Sequence, residues 1–137
     1  MIGEKLIDED EAMLVSRDKI RQFVASPLGT RMRKAASSGL LYREEPFVLE
    51  IDANRLNSVF PAEEKVLIQG IIDVFFIEDD KLVLMDYKTD RVDTSQSLVE
   101  RYRVQLDYYE EALRRIRGMD VKEKLIYSFH FEDTYSV

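Results

Sequence analysis

The sequence predicts an α/β (α+β) fold, a mixed β-sheet flanked by helices and preceded by a helical N-terminal lead. Three stretches carry that expectation. Val66 to Ile77 and Leu82 to Tyr87 are short apolar runs on either side of the polar Glu78-Asp79-Asp80-Lys81, the pattern of an antiparallel hairpin. Phe47, Leu49 and Ile51 alternate with Val48, Glu50 and Asp52, the period of two of a strand. Leu98, Tyr102, Leu106, Tyr109, Leu113 and Ile116 recur at helical spacing as one apolar stripe. The order of helices, three strands, helix and strand describes a sheet with helices packed on it.

Taken in order, Asp8-Glu9-Asp10-Glu11 leads into Ala12-Met13-Leu14-Val15, a short helix with acids in its first turn, where the helix dipole favours them. Ser16 reads as the N-cap of a second helix, Arg17 to Ala25, with Ile20, Phe23 and Val24 on one face. Ser26-Pro27 opens a third over Leu28 to Ala36, because Pro suits a first helical position, and Ser37-Ser38-Gly39 ends it. Strands are expected near 43–52, 65–77, 82–88 and 122–131, with Asn54 to Ala62 as a connection. Asp90 to Ser97 reads as a polar loop, and the helix after it stops at Gly118. Leu125, Tyr127 and Phe129 fall on one face of the last strand.

A length of 137 residues allows one domain, here a lead over 1–40 and a core over 41–137. Hydrophobic residues make up 45% and charged residues 34%, enough for a core inside a water-compatible surface. No apolar run is long enough to span a membrane. Met1-Ile2-Gly3-Glu4-Lys5 lacks the basic start and apolar core of a signal peptide, so a cytoplasmic setting is expected. Cysteine is absent, which excludes disulfides, Fe–S clusters and thiolate zinc sites. His130 is the only histidine, so clusters of histidine ligands are excluded too. The formal charge of −7 argues against tight nucleic-acid binding by this domain alone, since phosphate contacts depend on Lys and Arg. The cations do gather, in Arg31, Arg33, Lys34 and Arg43 and again in Lys88, Arg91, Arg101 and Arg103, although each group also reads as a solvated face.

Three residues do not belong in an apolar hairpin: Asp73, Asp86 and Lys88. A charge in a strand interior is costly unless it is paired or binds a metal. Alternation puts Asp86 and Lys88 on one face. With Asp73 on the same face of the neighbouring strand, two carboxylates and an ammonium converge. Two carboxylates suit a hard cation such as Mg2+. A bound cation lowers the pKa of its water and stabilises charge on a phosphoryl oxygen, while a lysine beside it orients water or offsets developing charge. The stretch asks for metal-assisted phosphodiester hydrolysis.

Gly70-x-x-Asp73, then Asp86-Tyr87-Lys88-Thr89-Asp90, then Gln105-x-x-x-Tyr109 resemble, in order and spacing, the motifs of PD-(D/E)XK nucleases of the RecB type. Phe23 to Gly29, Arg43-Glu44-Glu45-Pro46-Phe47 and Arg101-Tyr102-Arg103-x-Gln105 are similar to the C-terminal nuclease domains of AddAB-type bacterial helicase–nucleases. The resemblance implies a restriction-endonuclease-like sheet and an Mg2+-dependent DNA exonuclease, with Mn2+ as a substitute metal, acting in double-strand-break end processing and recombinational repair. It implies Asp73, Asp86, Lys88, Gln105 and Tyr109 as catalytic residues, and Asp73, Asp86 and the Tyr87 carbonyl as metal ligands. Gln105 and Tyr109, at i and i+4, can reach the site together. Arg91 and Arg101 are expected at DNA phosphates. The implied partners are DNA, a helicase portion of the same longer chain, and the partner subunit of an AddAB-like complex. Two departures stand out. The family carries an upstream His or acid, often in a Gly-Thr-x-x-His context, whereas Gly29-Thr30 runs into Arg31-Met32-Arg33. The matching helix is expected before residue 1, which makes this chain a fragment. No Walker A loop is present, so an ATP-binding motor would lie elsewhere.

Plainer readings stand beside these. Asp86 and Lys88 also read as a strand-edge ion pair, and Asp73 as a hydrogen-bonded buried acid. Gln105 and Tyr109 also read as helix packing, Tyr102 and Tyr108 as core or groove residues, and Glu44 and Glu45 as solvated. Glu45 near the site and His130 at the surface have no assigned role. A nuclease fold that no longer cuts, kept for DNA guidance or subunit contact, is the alternative function.

Overall fold

The computed structural model describes residues 16–61 and 63–137. The helix expected at Ala12 to Val15 lies outside them. A five-stranded mixed sheet runs β1 (Leu41–Asp52), β2 (Lys65–Glu78), β3 (Lys81–Lys88), β4 (Val121–Ser128) and β5 (Asp133–Ser136), each strand beside the next. The pairs β1·β2, β2·β3 and β4·β5 are antiparallel, and β3·β4 is parallel. A parallel pair needs a crossover. Here it is helix α3 (Ser95–Arg117), which covers one face of the sheet. Helices α1 (Arg17–Ala25) and α2 (Pro27–Ser37) cover the other. This is the α+β architecture expected, with one addition. The sequence does not foretell β5, because β4 ends at Ser128 and a tight turn with Glu132 at φ 56° returns the chain.

Local chemistry sets the boundaries. Ser26 ends α1 and caps α2, its hydroxyl accepting the Gly29 amide at 3.1 Å. The β2–β3 turn has Asp79 at φ 54° and Asp80 at φ 61°, as a two-residue type I′ turn requires. Helix α3 begins at Ser95 rather than Leu98, because Thr94 caps it by accepting the Ser97 amide. Gly118 ends it at φ 65°.

Two apolar layers fix the sheet. Phe23, Met32, Val74, Phe76, Met85, Tyr127 and Phe129 fill the α1/α2 side. Phe47, Ile72, Phe75, Leu84, Leu106, Leu113 and Ile126 fill the α3 side. Strand β3 is buried on both faces, Leu82 through Tyr87. Each large side chain so buried contributes roughly 1.5–3 kcal/mol, so the strand that carries Asp86 is among the best anchored parts of the fold. Ile116, expected on the buried stripe of α3, is instead 49% exposed, since it falls in the last turn beyond the sheet's cover.

Arg31 donates to Glu78 at 2.8 Å and to Glu123 at 2.7 Å, and Lys122 adds a contact to Glu78 at 2.9 Å. This network ties α2 to β2 and β4, so Arg31 is committed to the fold rather than free in an early cationic face. The Arg31 hydrogen bonds foremost hold the Glu78 carboxyl down to about 2.

Candidate active site

The site forms where β2 and β3 part beneath α3. β2 changes facing there. Val66, Ile68 and Ile72 point to the α3 side, and so do Phe75 and Ile77, although strict alternation forbids both sets. β1 changes phase in step, with Tyr42 and Phe47 both on that side. The register is identical before and after, Arg43↔Val74 and Glu45↔Ile72, and between them Glu44 sits at φ 52° opposite Asp73. Asp73 therefore occupies a local twist, beside the last β2–β3 pair, Val74↔Met85. Its Oδ2 accepts the Tyr87 amide at 3.1 Å, so a carboxylate stands where the ladder would offer a backbone carbonyl.

Asp86, next along β3, is 3% exposed. Lys88 Nζ stands 2.6 Å from Asp86 Oδ2. That contact is an ion pair by distance, yet the same oxygen is buried and receives no well-directed hydrogen bond. Lys88 Nζ donates to Gln105 Oε1 at 3.1 Å, and Gln105 Nε2 donates to the Tyr109 hydroxyl at 3.0 Å. Burial first, then the negative charges of Asp86 and Asp73, push the Tyr109 hydroxyl above its ordinary value, with Gln105 acting against them. Asp86 falls on the α3 side with Leu84, two residues before it on β3, and Asp73 reaches the same end of β3 through the Tyr87 amide. Tyr109 is held in turn by Phe47, edge to face at 5.2 Å, and both rings pack over Gly70.

Asp73, Asp86, Lys88, Gln105 and Tyr109 are all brought together. The Arg residues are peripheral: Arg91 is exposed in the loop before α3, and Arg101 is exposed on α3 and donates to Asp90 at 2.8 Å. Glu45 lies 3.9 Å from Arg117, whose guanidinium stacks over Tyr42 at 4.2 Å. His130 is exposed beside Phe131. Sequence reasoning missed Tyr102 and Asp90. The Tyr102 ring lies 3.7 Å from Lys88 Nζ, and its hydroxyl donates to Asp90 Oδ2 at 2.7 Å. That hydrogen bond foremost, with Arg101, holds the Asp90 carboxyl below its usual range. The available signal was spacing: Tyr102 is one helical turn before Gln105, and Asp90 is two residues after Lys88.

The residues fit a divalent cation as a two-carboxylate site. Asp86 Oδ2 is a buried oxygen without a directed donor, and Asp73 Oδ2 accepts the amide of Tyr87, the residue next to Asp86. Among the described residues no three His, Asp or Glu side chains converge on one point. Such a cation would complete its shell with backbone oxygen and water, as Mg2+ commonly does.

The PD-(D/E)XK nuclease superfamily matches residues 5–135. The chain is 44% identical over 133 residues to an ATP-dependent helicase/nuclease subunit of Clostridium kluyveri, covering 94% of this chain and 10% of that protein. It is 41% identical over 139 residues to the protein of the same name from Clostridium perfringens, covering 96% of this chain and 11% of the relative. The Alkaliphilus oremlandii protein of that name is 44% identical over 133 residues, covering 94% of this chain and 11% of the relative. The chain spans about a tenth of the length of these curated relatives. With a match over nearly its whole length, the chain belongs to the PD-(D/E)XK nuclease superfamily.

Proposed function

We propose that this chain is the metal-dependent DNA nuclease domain of a longer helicase–nuclease, an exonuclease that hydrolyses phosphodiester bonds during double-strand-break end processing and recombinational repair. The observation that carries the reading is the convergence of Asp73, Asp86 and Lys88 under Gln105 and Tyr109. The names of the relatives support a place within a protein that also carries a helicase. The partners the reading requires are DNA, that helicase portion and a second subunit.

Asp73, Asp86 and the Tyr87 carbonyl would hold Mg2+, or Mn2+ in its place. A bound divalent cation supplies an acidified water and charge stabilisation at the phosphoryl oxygens. The chain's own groups do the rest. Lys88 orients the attacking water and faces the negative charge that builds on phosphorus-bound oxygen. Gln105 accepts a hydrogen bond from the Lys88 ammonium, and Tyr109 accepts one from Gln105. Water gives up a proton as its oxygen bonds to phosphorus, the bond to the leaving sugar oxygen breaks, and that oxygen takes up a proton. Arg91 and Arg101, exposed and peripheral to the acids, are proposed phosphate contacts. With an acidic surface and only two carboxylate ligands, the chain alone is expected to bind DNA weakly and cut slowly, the remaining ligand and basic channel coming from the rest of the protein.

The test is cleavage of linear DNA by the longer protein, titrated with Mg2+ or Mn2+, with Asp86→Ala as control. Metal-dependent cleavage that Asp86→Ala abolishes supports the reading. Folding and DNA binding without any metal-dependent cleavage favour the alternative, a nuclease-fold module that guides DNA or makes a contact between subunits.

A further inference from the structure

We propose that Tyr102, pinned by Asp90, is a positioning residue for Lys88, an inference that rests on the nuclease reading above. A lysine ammonium has three N–H donors and no acceptor. Three groups surround Lys88 Nζ: Asp86 Oδ2 at 2.6 Å, Gln105 Oε1 at 3.1 Å and the Tyr102 ring at 3.7 Å from its centroid. A cation over an aromatic face is attracted by the ring quadrupole, and more so where water is displaced. The Lys88 side chain is 14% exposed, so that condition is met. The ring face is the third wall of the lysine's seat.

The wall is itself fixed. The Tyr102 hydroxyl donates to Asp90 Oδ2 at 2.7 Å, and Arg101 donates to the same oxygen at 2.8 Å. Asp90 follows Lys88 by two residues at the end of β3, so strand and helix close on each other around the lysine. Tyr102, Gln105 and Tyr109 form one stripe of α3, spaced three and four residues apart.

The three contacts differ in what they can release. Gln105 accepts a hydrogen bond, whereas Asp86 is an ion-pair partner and also a proposed metal ligand. The ring constrains direction while leaving the ammonium free to turn a proton toward water or phosphate. Tyr102 thus sets where Lys88 points without touching the reacting atoms.

The test compares Tyr102→Phe, Tyr102→Leu and Asp90→Asn with the wild type in two measurements. The first is the NMR shift of the Lys88 Hε protons, which the ring face moves upfield. That shift is expected in full in the wild type, reduced in Tyr102→Phe, which keeps the ring but loses the hydrogen bond to Asp90, reduced in Asp90→Asn, and absent in Tyr102→Leu. The second is steady-state cleavage of linear DNA by the longer protein with Mn2+. Loss of alignment lowers kcat by about 10- to 100-fold in Tyr102→Leu and by less in Tyr102→Phe, which keeps the ring but not its bond to Asp90, while KM stays within about 3-fold in both. Should Tyr102→Leu fail to fold, Asp90→Asn carries the test, with a smaller upfield shift and a lower kcat at unchanged KM. No upfield shift in the wild type, or Phe and Leu variants of equal kcat, overturns the proposal. A wild-type protein without metal-dependent cleavage overturns the nuclease reading instead, and the Lys88 shift still decides whether the ring seats the lysine.

Discussion

Gly70→Ala puts a single methyl group against the ring stack that carries the site. A Cβ at residue 70 would stand 2.8 Å from Phe47 Cε1 and 2.9 Å from Phe47 Cζ, with Tyr109 Cε1 at 3.6 Å. Gly70 has no positive φ, so the backbone itself tolerates Ala, and removing a glycine from a strand is by itself worth roughly 0.5–1 kcal/mol in favour of the variant. The sign therefore turns on whether Phe47 can move. Phe47 is 4% exposed and wedged edge-on against Tyr109, so its ring has no solvent side to swing into. Overpacking of this kind costs about 1–3 kcal/mol, and a contact under 3 Å on a buried ring falls in the upper half of that range, which leaves a net destabilisation of roughly 1–2.5 kcal/mol. For 137 residues the unfolding entropy near the midpoint is about 0.3 kcal/mol/K, so Tm falls by roughly 3–8 °C. Differential scanning calorimetry measures this directly. The displaced Tyr109 also loosens Gln105, so cleavage should fall by more than the stability loss explains. A Gly70→Ala protein as stable as the wild type, or more stable, would refute the argument that this strand is pressed against the Phe47–Tyr109 pair.

Divalent metal should stabilise the chain by mass action: at a hundredfold excess over its dissociation constant, Mg2+ or Mn2+ adds about 2.7 kcal/mol, seen as a rise in Tm, and Asp86→Asn should remove that rise. The Glu78 carboxyl is depressed from 4.5 to about 2, so its contribution is full above pH 4.5 and is lost as pH falls toward 2. Because Glu78 is about a third exposed, that contribution is roughly 1–2 kcal/mol, and Glu78→Gln should flatten the acid limb of stability measured by urea unfolding across that window. Arg31→Met should do the same, since Arg31 is the main cause of the depression; an unchanged acid limb in both variants contradicts the network. The isolated 137 residues should bind DNA weakly at moderate salt, and DNA degradation as fast as that of the longer protein would contradict this.

Much of this fold is legible in the sequence because its signals are local. The Asp79-Asp80 turn, the Ser26 cap, the Gly118 stop and the alternation of Phe47, Leu49 and Ile51 each act within a few residues. The apolar stripe misplaces the start of α3 by three residues because Thr94 sits outside it while the threonine hydroxyl alone sets the helix end. β5 is too short and polar to announce itself. The acids, the lysine and their helix partners are legible as charges out of place in a hairpin and as a spaced pair on a helix. The twist at Glu44 and Asp73 is not, since simple alternation reads β2 as one uninterrupted strand, whereas the chain switches facing at the very residue that carries the carboxylate. Tyr102 is hidden for another reason. An aromatic residue on an apolar stripe reads as core, and only the fold shows Lys88 lying over its face.

The most direct test of the central claim is Lys88→Ala in the longer protein, with DNA cleavage and Mn2+ affinity measured on the same preparation. If Lys88 acts on water and phosphate, cleavage is abolished. Metal affinity holds or rises, because a cation 2.6 Å from Asp86 Oδ2 has been removed. If Lys88 is only an ion-pair partner of Asp86, cleavage persists and the loss is confined to stability, and that result would contradict the account.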